Sequence, residues 1–119
     1  MEPPAGERVE GLRSLADGFI PPIFHKWGGP DLLDGKRIVR PIESLEWTRR
    51  LASECGVFSG ISAGAALAGA VRTASRIEPG ESATIVFIVC DGGWKYLSTN
   101  AWSGTVEEAA ARAEEVFYF

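Results

Sequence analysis

The sequence predicts an α/β fold built around a mostly parallel sheet, of which this chain supplies only a part. Residues 83–90 form a continuous, β-branched, apolar run, which is the pattern of a strand covered on both faces. Helical patterns precede and follow this run, as in a layered sandwich. Only residues 37–39 and 57–58 offer candidates for neighbouring strands, and both are weak. We therefore expect a partial three-layer sandwich that lacks some of its sequence.

Length and charge narrow the possible functions. A chain of 119 residues fits one small domain or a piece of a larger one. The net charge of −4, with acidic residues spread along the chain, leaves no basic patch for nucleic acid or for an anionic membrane surface. No signal peptide and no run long enough to span a membrane is present, so we predict a cytoplasmic protein. Cys55 and Cys90 lack metal or redox spacing, and we expect both to be reduced and buried.

The elements follow in order along the chain. Residues 1–36 carry many proline and glycine turn signals and predict an irregular, turn-rich lead-in. A very short strand fits residues 37–40. The next element is a helix over residues 41–55, with Pro41 in its first turn, an ion pair between Glu46 and Arg50, and Gly56 as its stop.

Two further helices are predicted. One begins just after Ser62 and continues to residue 74, and its many glycines and alanines indicate that something packs very close to it. The other covers residues 106–116, because Thr105 and Glu108 have the spacing of a capping box. Glu108 also stands four residues before Arg112, at ion-pair spacing.

Ser62 is the candidate binding residue that the local pattern provides. A serine at a helix start accepts a hydrogen bond from a free backbone N–H, and its hydroxyl then lies at the positive end of the helix. That position suits a polar cofactor atom, but a plain helix cap explains the local pattern as well. Gly60 and Gly64 fit either close approach of a cofactor ring or tight turn geometry.

Four motifs in register resemble the C-terminal part of the pyridoxal-phosphate-dependent cysteine synthases, of the tryptophan synthase β-like group or fold type II. They are residues 18–22 (GFIPP), 46–52 (EWTRRLA), 60–66 (GISAGAA) and 96–99 (YLST). Residues 91–95 (DGGWK) look most like the actinobacterial, O-phosphoserine-using branch. The resemblance covers nearly the whole chain, so residues 1–119 are expected to form the C-terminal portion of such an enzyme domain.

The resemblance implies roles for two residues. Ser62 takes the place of the serine that hydrogen-bonds the pyridine nitrogen of pyridoxal 5′-phosphate, although Ala63 replaces a second serine found in many members. Arg13 takes the place of an arginine that faces the substrate phosphate, and a guanidinium fork suits a phosphate better than an acetyl ester. No metal ligand and no catalytic residue is assigned.

The implied activity belongs to a longer protein. The resemblance implies L-cysteine formation by β-replacement on an activated serine, preferably O-phosphoserine, with sulfur possibly supplied by a thiocarboxylated carrier protein, in a homodimer. The Schiff-base lysine of the family lies upstream of the matching part, and the lysines of this chain stand in other contexts. We therefore expect this chain alone to be inactive.

Several alternatives stay open. The enzyme class also includes O-acetylserine-using cysteine synthases and relatives of cystathionine β-synthase. Outside that class, the chain fits an inactive truncated remnant, or a module that binds a partner through the small face of its second helix. Asp91 and Lys95 fit an ion pair at the rim of the site, although turn chemistry explains Asp91 equally well. Trp94, Tyr96 and Trp102 fit either an aromatic wall or ordinary packing.

Overall fold

The structure, a computed structural model, describes residues 20–112, the backbone of residues 113–115, and Val9 and Leu12. Its four α-helices are α1 (Pro22–Lys26), α2 (Pro41–Cys55), α3 (Ile61–Ala74) and α4 (Val106–Glu115). Short 3-10 turns lie at Gly29–Leu32, Gly93–Tyr96 and Asn100–Trp102. In the part of the chain that is described, no helix is long and apolar enough to cross a bilayer.

Helix α2 has the predicted bounds, because both of its ends are encoded locally. Pro41 occupies its first turn, and the backbone N–H of Arg40 donates to the Glu43 carboxylate at 3.0 Å. Gly56 ends the helix with a φ of +69°, a left-handed conformation that favours glycine. The predicted ion pair is wrong in its partner: Arg50 bonds Glu54, one turn further on, at 2.7 Å.

Helix α3 begins earlier than predicted. Gly60 is its N-cap, and the Gly60 carbonyl already accepts the N–H of Ala63 at 3.1 Å. Ser62 is therefore the second residue of the helix and not its cap, which corrects the capping prediction. Its place in the first turn still puts it at the positive end of the helix.

Helices α2 and α3 touch through their backbones at Gly64. A Cβ built on Gly64 would overlap Thr48 Oγ1 and the Ser44 carbonyl oxygen, and it would lie 2.7 Å from the Thr48 backbone nitrogen. The Ser44 hydroxyl crosses this contact and donates to the Ile61 carbonyl at 2.5 Å, while the Thr48 hydroxyl donates to Ser44 within α2 at 2.7 Å. The predicted close neighbour of the small helix is therefore α2.

A small apolar core joins the helices. Its buried members come from α2, α3, the last 3-10 turn, α4 and the lead-in: Leu45, Ile61, Ala65, Ala101, Ala109 and Val9. Helix α4 starts as predicted, since Glu108 accepts from the Thr105 backbone N–H at 3.0 Å and the Thr105 hydroxyl accepts from the Glu108 N–H at 3.1 Å. This reciprocal capping box orients the helix that closes the core.

Two arginines connect distant segments. The Arg49 guanidinium donates to three carbonyls, those of Ala101, Ser103 and Gly104, at 2.7, 3.0 and 2.8 Å. It therefore ties α2 to the turn before α4. Arg72 of α3 contacts both the Ile38 carbonyl and the Glu43 carboxylate.

The predicted parallel sheet is not confirmed. Residues 83–90 belong to no strand or helix and form no bridge with another described residue, and the same holds for residues 37–40. The one β-bridge among the described residues is antiparallel and joins Ser59 to Gly92. Val86 is 87% exposed and Ile88 72% exposed. A strand needs hydrogen-bonded neighbours, and the described residues supply none for this run.

The cysteine prediction is wrong on burial. Cys55 and Cys90 are both free thiols, and both are exposed. Cys55 is the last residue of α2. Cys90 is the last of residues 83–90, which no strand among the described residues covers.

Replacing Gly64 by alanine is expected to destabilise the chain by about 1–3 kcal/mol, because the added methyl overpacks the contact with α2. The matched control is Gly69→Ala on the same helix, where an added Cβ meets nothing within 4 Å. There the substitution should be neutral or stabilise by about 0.5–1 kcal/mol through helix propensity. Thermal unfolding followed by circular dichroism measures both changes, and equal effects at the two positions would contradict the close contact.

Replacing Glu43 by glutamine should lower stability at neutral pH but not in acid. Partial burial tends to raise the pKa of Glu43, but the bond from the Arg40 backbone and the Arg72 guanidinium outweigh it and hold the pKa below its ordinary value of 4.5. A carboxyl with a lowered folded-state pKa stabilises fully above its unfolded value, and this stabilisation is lost as the pH falls through the folded value.

The difference in Tm between the wild type and Glu43→Gln should therefore narrow as the pH falls from 7 towards 3. The side chains of Arg72 and Glu43 are 41% and 28% exposed, so the whole effect should stay below about 1 kcal/mol. Glu81→Gln, in the exposed loop after α3, is the control. A difference that stays constant across this pH range would refute the assigned role.

Candidate functional site

The N-terminus of α3 contacts the turn that follows residues 83–90. The Gly60 N–H donates to the Asp91 carbonyl at 2.9 Å, and the Gly93 N–H donates to the Phe58 carbonyl at 3.1 Å. Together with the bridge between Ser59 and Gly92, these bonds fasten two segments about thirty residues apart. We call residues 58–62 and 91–96 the α3 N-terminal site.

Ser62 is buried at this site, with 6% of its surface exposed. It is the second residue of α3 and so belongs to the first turn of that helix. The free N–H groups of the first helical turn give this end of α3 a partial positive charge. Ser62 therefore places its side chain at the positive end of α3.

The absence of a side chain at Gly60 leaves space that Asp91 and Tyr96 occupy. A Cβ built on Gly60 would overlap the Asp91 carboxylate and would lie 2.6 Å from the Tyr96 ring. The corresponding space at Gly64 is filled by α2. Both glycines therefore allow close packing within the chain, which neither of the two explanations drawn from the sequence had named.

One carboxylate oxygen of Asp91 is hydrogen-bonded, and the other has no hydrogen-bond partner. Asp91 Oδ2 accepts from the Tyr96 hydroxyl at 2.8 Å and lies 3.7 Å from Lys95 Nζ, which confirms the predicted ion pair. Asp91 Oδ1 is buried and has no hydrogen-bond partner, and the same holds for the hydroxyl of Ser59. Buried polar atoms are rarely left unpaired, so two of them beside one helix terminus mark a polar site.

The aromatic residues divide into separate contacts and do not form one wall. Trp102 stacks on Phe58, with ring centroids 4.6 Å apart, and its Nε1–H donates to the Gly93 carbonyl at 3.2 Å. Trp94 is 64% exposed. Tyr96 turns to Asp91 and Gly60. The sequence alone did not single out Phe58 as a site residue, because only folding brings it against Trp102.

Several further residues lie away from this site or outside the residues that the structure describes. Arg13 and the C-terminal residues 117–119 are outside the described residues, as are the first two residues of the GFIPP motif. His25 lies on α1, exposed and edge-on to Phe24. Among the described side chains, no group of three or more histidines, cysteines or carboxylates could hold a metal ion.

Comparison with known proteins gives matches over most of the chain. No protein-family model matches it. It is 40% identical over 92 residues to a probable cysteine synthase of Bacillus subtilis, which covers 77% of this chain and 28% of that protein. It is also 35% identical over 102 residues to cysteine synthase B of Salmonella typhimurium, with 86% of this chain and 31% of that protein covered.

A solved structure agrees with these relatives. The crystal structure of a variant of O-ureido-L-serine synthase, with O-ureido-L-serine bound, matches 91% of this chain with a TM-score of 0.67 and 27% identity. The match covers 32% of that protein. The chain thus spans about 30% of the length of the proteins it resembles.

Proposed function

We propose that this chain is part of a pyridoxal-phosphate-dependent cysteine synthase of fold type II. Two observations support the proposal: the similarity to cysteine synthases over 77% to 86% of the chain, and the structural likeness to O-ureido-L-serine synthase. Pyridoxal 5′-phosphate is the cofactor of the cysteine synthases, so the cofactor follows from this relationship. Because the chain spans only about 30% of its relatives, the activity belongs to a longer protein.

The observation that carries the proposal is the position of Ser62, a buried residue in the first turn of α3. A pyridine nitrogen is a hydrogen-bond acceptor, and Ser62 carries a hydroxyl that can donate to it from the first turn of α3. The site therefore fits the ring nitrogen of the cofactor. A carboxylate at this position would stabilise a protonated, positively charged ring nitrogen. A neutral hydroxyl at the positive end of a helix does not stabilise that charge.

The bound cofactor supplies an electron-withdrawing ring that activates the substrate α-proton. This chain contributes the placement of that ring through α3, whose position is fixed by its backbone contact with α2. The proposed reaction is replacement of the β-substituent of an activated serine, giving L-cysteine. The bound ligand in the structural relative, O-ureido-L-serine, is another β-substituted serine, which supports this substrate class.

The preferred ester is proposed to be O-phosphoserine, with Arg13 facing its phosphate. A guanidinium binds a phosphate through two parallel, charge-assisted hydrogen bonds that a neutral acetyl ester does not provide. An O-acetylserine-using enzyme or a cystathionine β-synthase relative is the alternative. A thiocarboxylated sulfur carrier, a homodimer and a cytoplasmic location complete the proposal.

The non-enzymatic alternative loses part of its support. A partner-binding module was expected to use the small face of α3, but Gly64 and its neighbours Ala65 and Ala68 are buried, with Gly64 against α2. The discriminating observation is the coding sequence upstream of this segment. If it encodes a lysine loop and a phosphate-binding cup in the same reading frame, the enzyme proposal stands. If it does not, the truncated remnant is favoured.

Replacing Ser62 by alanine in the full-length enzyme should weaken cofactor binding about fivefold, because one hydrogen bond of about 1 kcal/mol is lost. A fluorescence titration of the apoenzyme with pyridoxal phosphate measures this Kd. Ser75→Ala, at the other end of α3, is the control and should leave Kd unchanged. An unchanged Kd for Ser62→Ala, or a holoenzyme crystal structure with a carboxylate against the ring nitrogen, would contradict the assignment.

Replacing Arg13 by alanine should lower kcat/KM for O-phosphoserine about tenfold to a hundredfold, the value of a charge-assisted contact. The value for O-acetylserine should change little. Arg37→Ala, which removes an exposed guanidinium bonded to the Lys36 carbonyl, is the matched control. Equal losses with both esters would remove Arg13 from the specificity argument.

A further inference from the structure

The Asp91 side chain is held beside the N-terminus of α3 from two directions. The backbone carbonyl of Asp91 accepts the Gly60 N–H at 2.9 Å, so the Asp91 backbone is bonded to the N-cap residue of α3. Its carboxylate is fastened by the Tyr96 hydroxyl, which donates to Oδ2 at 2.8 Å. We call this pair the Asp91–Tyr96 clasp.

The clasp fills the space that a side chain at residue 60 would occupy. Both the Asp91 carboxylate and the Tyr96 ring lie where a Cβ on Gly60 would be. Gly60 is two residues before Ser62, within the same helix start. Movement of either clasp residue would therefore open a gap against the turn that carries the Ser62 hydroxyl.

The second carboxylate oxygen gives the clasp a further feature. Asp91 Oδ1 is buried and has no hydrogen-bond partner, although leaving a buried acceptor unpaired is unfavourable. A nearby helix N-terminus compensates such a charge in part. The ammonium of Lys95 lies 3.7 Å from Oδ2 on a side chain that is 49% exposed, so it contributes little to this compensation.

We propose that Asp91, held by Tyr96, is a positioning residue that fixes the first turn of α3 and thereby the Ser62 hydroxyl. This inference rests on the proposed function, in which Ser62 donates to the ring nitrogen of the cofactor. Asp91 itself acts through Ser62 and is not assigned a contact with the cofactor or the substrate.

The test is a double-mutant cycle in the full-length enzyme, with the Kd of the apoenzyme for pyridoxal phosphate as the readout. Asp91→Asn and Tyr96→Phe should each raise Kd about twofold to tenfold, because each weakens one hydrogen bond of the clasp. In a Ser62→Ala background, Asp91→Asn should add less than about a twofold change, because the hydroxyl that it positions is gone. Glu78→Gln, which removes an exposed carboxylate, is the control.

Tyr96→Phe keeps the ring over Gly60 and loses only the hydroxyl, so it tests the clasp even if Asp91→Asn folds poorly. Equal factors for Asp91→Asn in the wild-type and Ser62→Ala backgrounds would overturn the positioning role and leave the proposed function intact. An unchanged Kd in both clasp variants would do the same. If Ser62→Ala itself leaves Kd unchanged, both the proposed function and this inference fail.

Discussion

The contact between α2 and α3 at Gly64 is the constraint on which the rest of the structure depends. Gly64 has no side chain, so backbone atoms of α2 and the Thr48 hydroxyl lie directly against it. The buried hydroxyls of Ser44 and Thr48 satisfy carbonyls that the contact shields from water. Because Ser44 bonds the carbonyl of Ile61, the contact reaches the first residue of α3. It therefore fixes the helix end that carries Ser62. A side chain larger than glycine at residue 64 would move that end relative to the core.

Local signals predicted the helices well. Proline at residue 41, glycine at residue 56 and the capping box at residues 105–108 act within a few residues of the bonds that they make, so the sequence alone indicates them. Ser62 was displaced by two positions from its expected role because Gly60 caps the helix with its backbone. The predicted sheet is not confirmed, because a strand forms only where another segment pairs with it, and local sequence does not show whether that partner is present.

The candidate site was predicted only in part for the same reason. The resemblance to cysteine synthases singled out Ser62, and the structure places this buried residue in the first turn of α3. The clasp between Asp91 and Tyr96 was not predicted, because its meaning depends on a contact with Gly60, about thirty residues earlier in the chain. The three-carbonyl contact of Arg49 spans more than fifty residues and is equally invisible to local patterns.

The exposed apolar run at residues 83–90 connects the fold to the proposed function. It leads directly into Asp91, so the segment that lacks strand neighbours also delivers the clasp to the N-terminus of α3. A β-branched run with both faces exposed is unfavourable in water, and its sequence is typical of a strand buried in a sheet. The relatives are about three times as long as this chain, which is length enough to provide such neighbours. Pairing of this run would order the residues before Asp91, and the helix end proposed to bind the cofactor would then be held from two sides, by α2 and by the paired run.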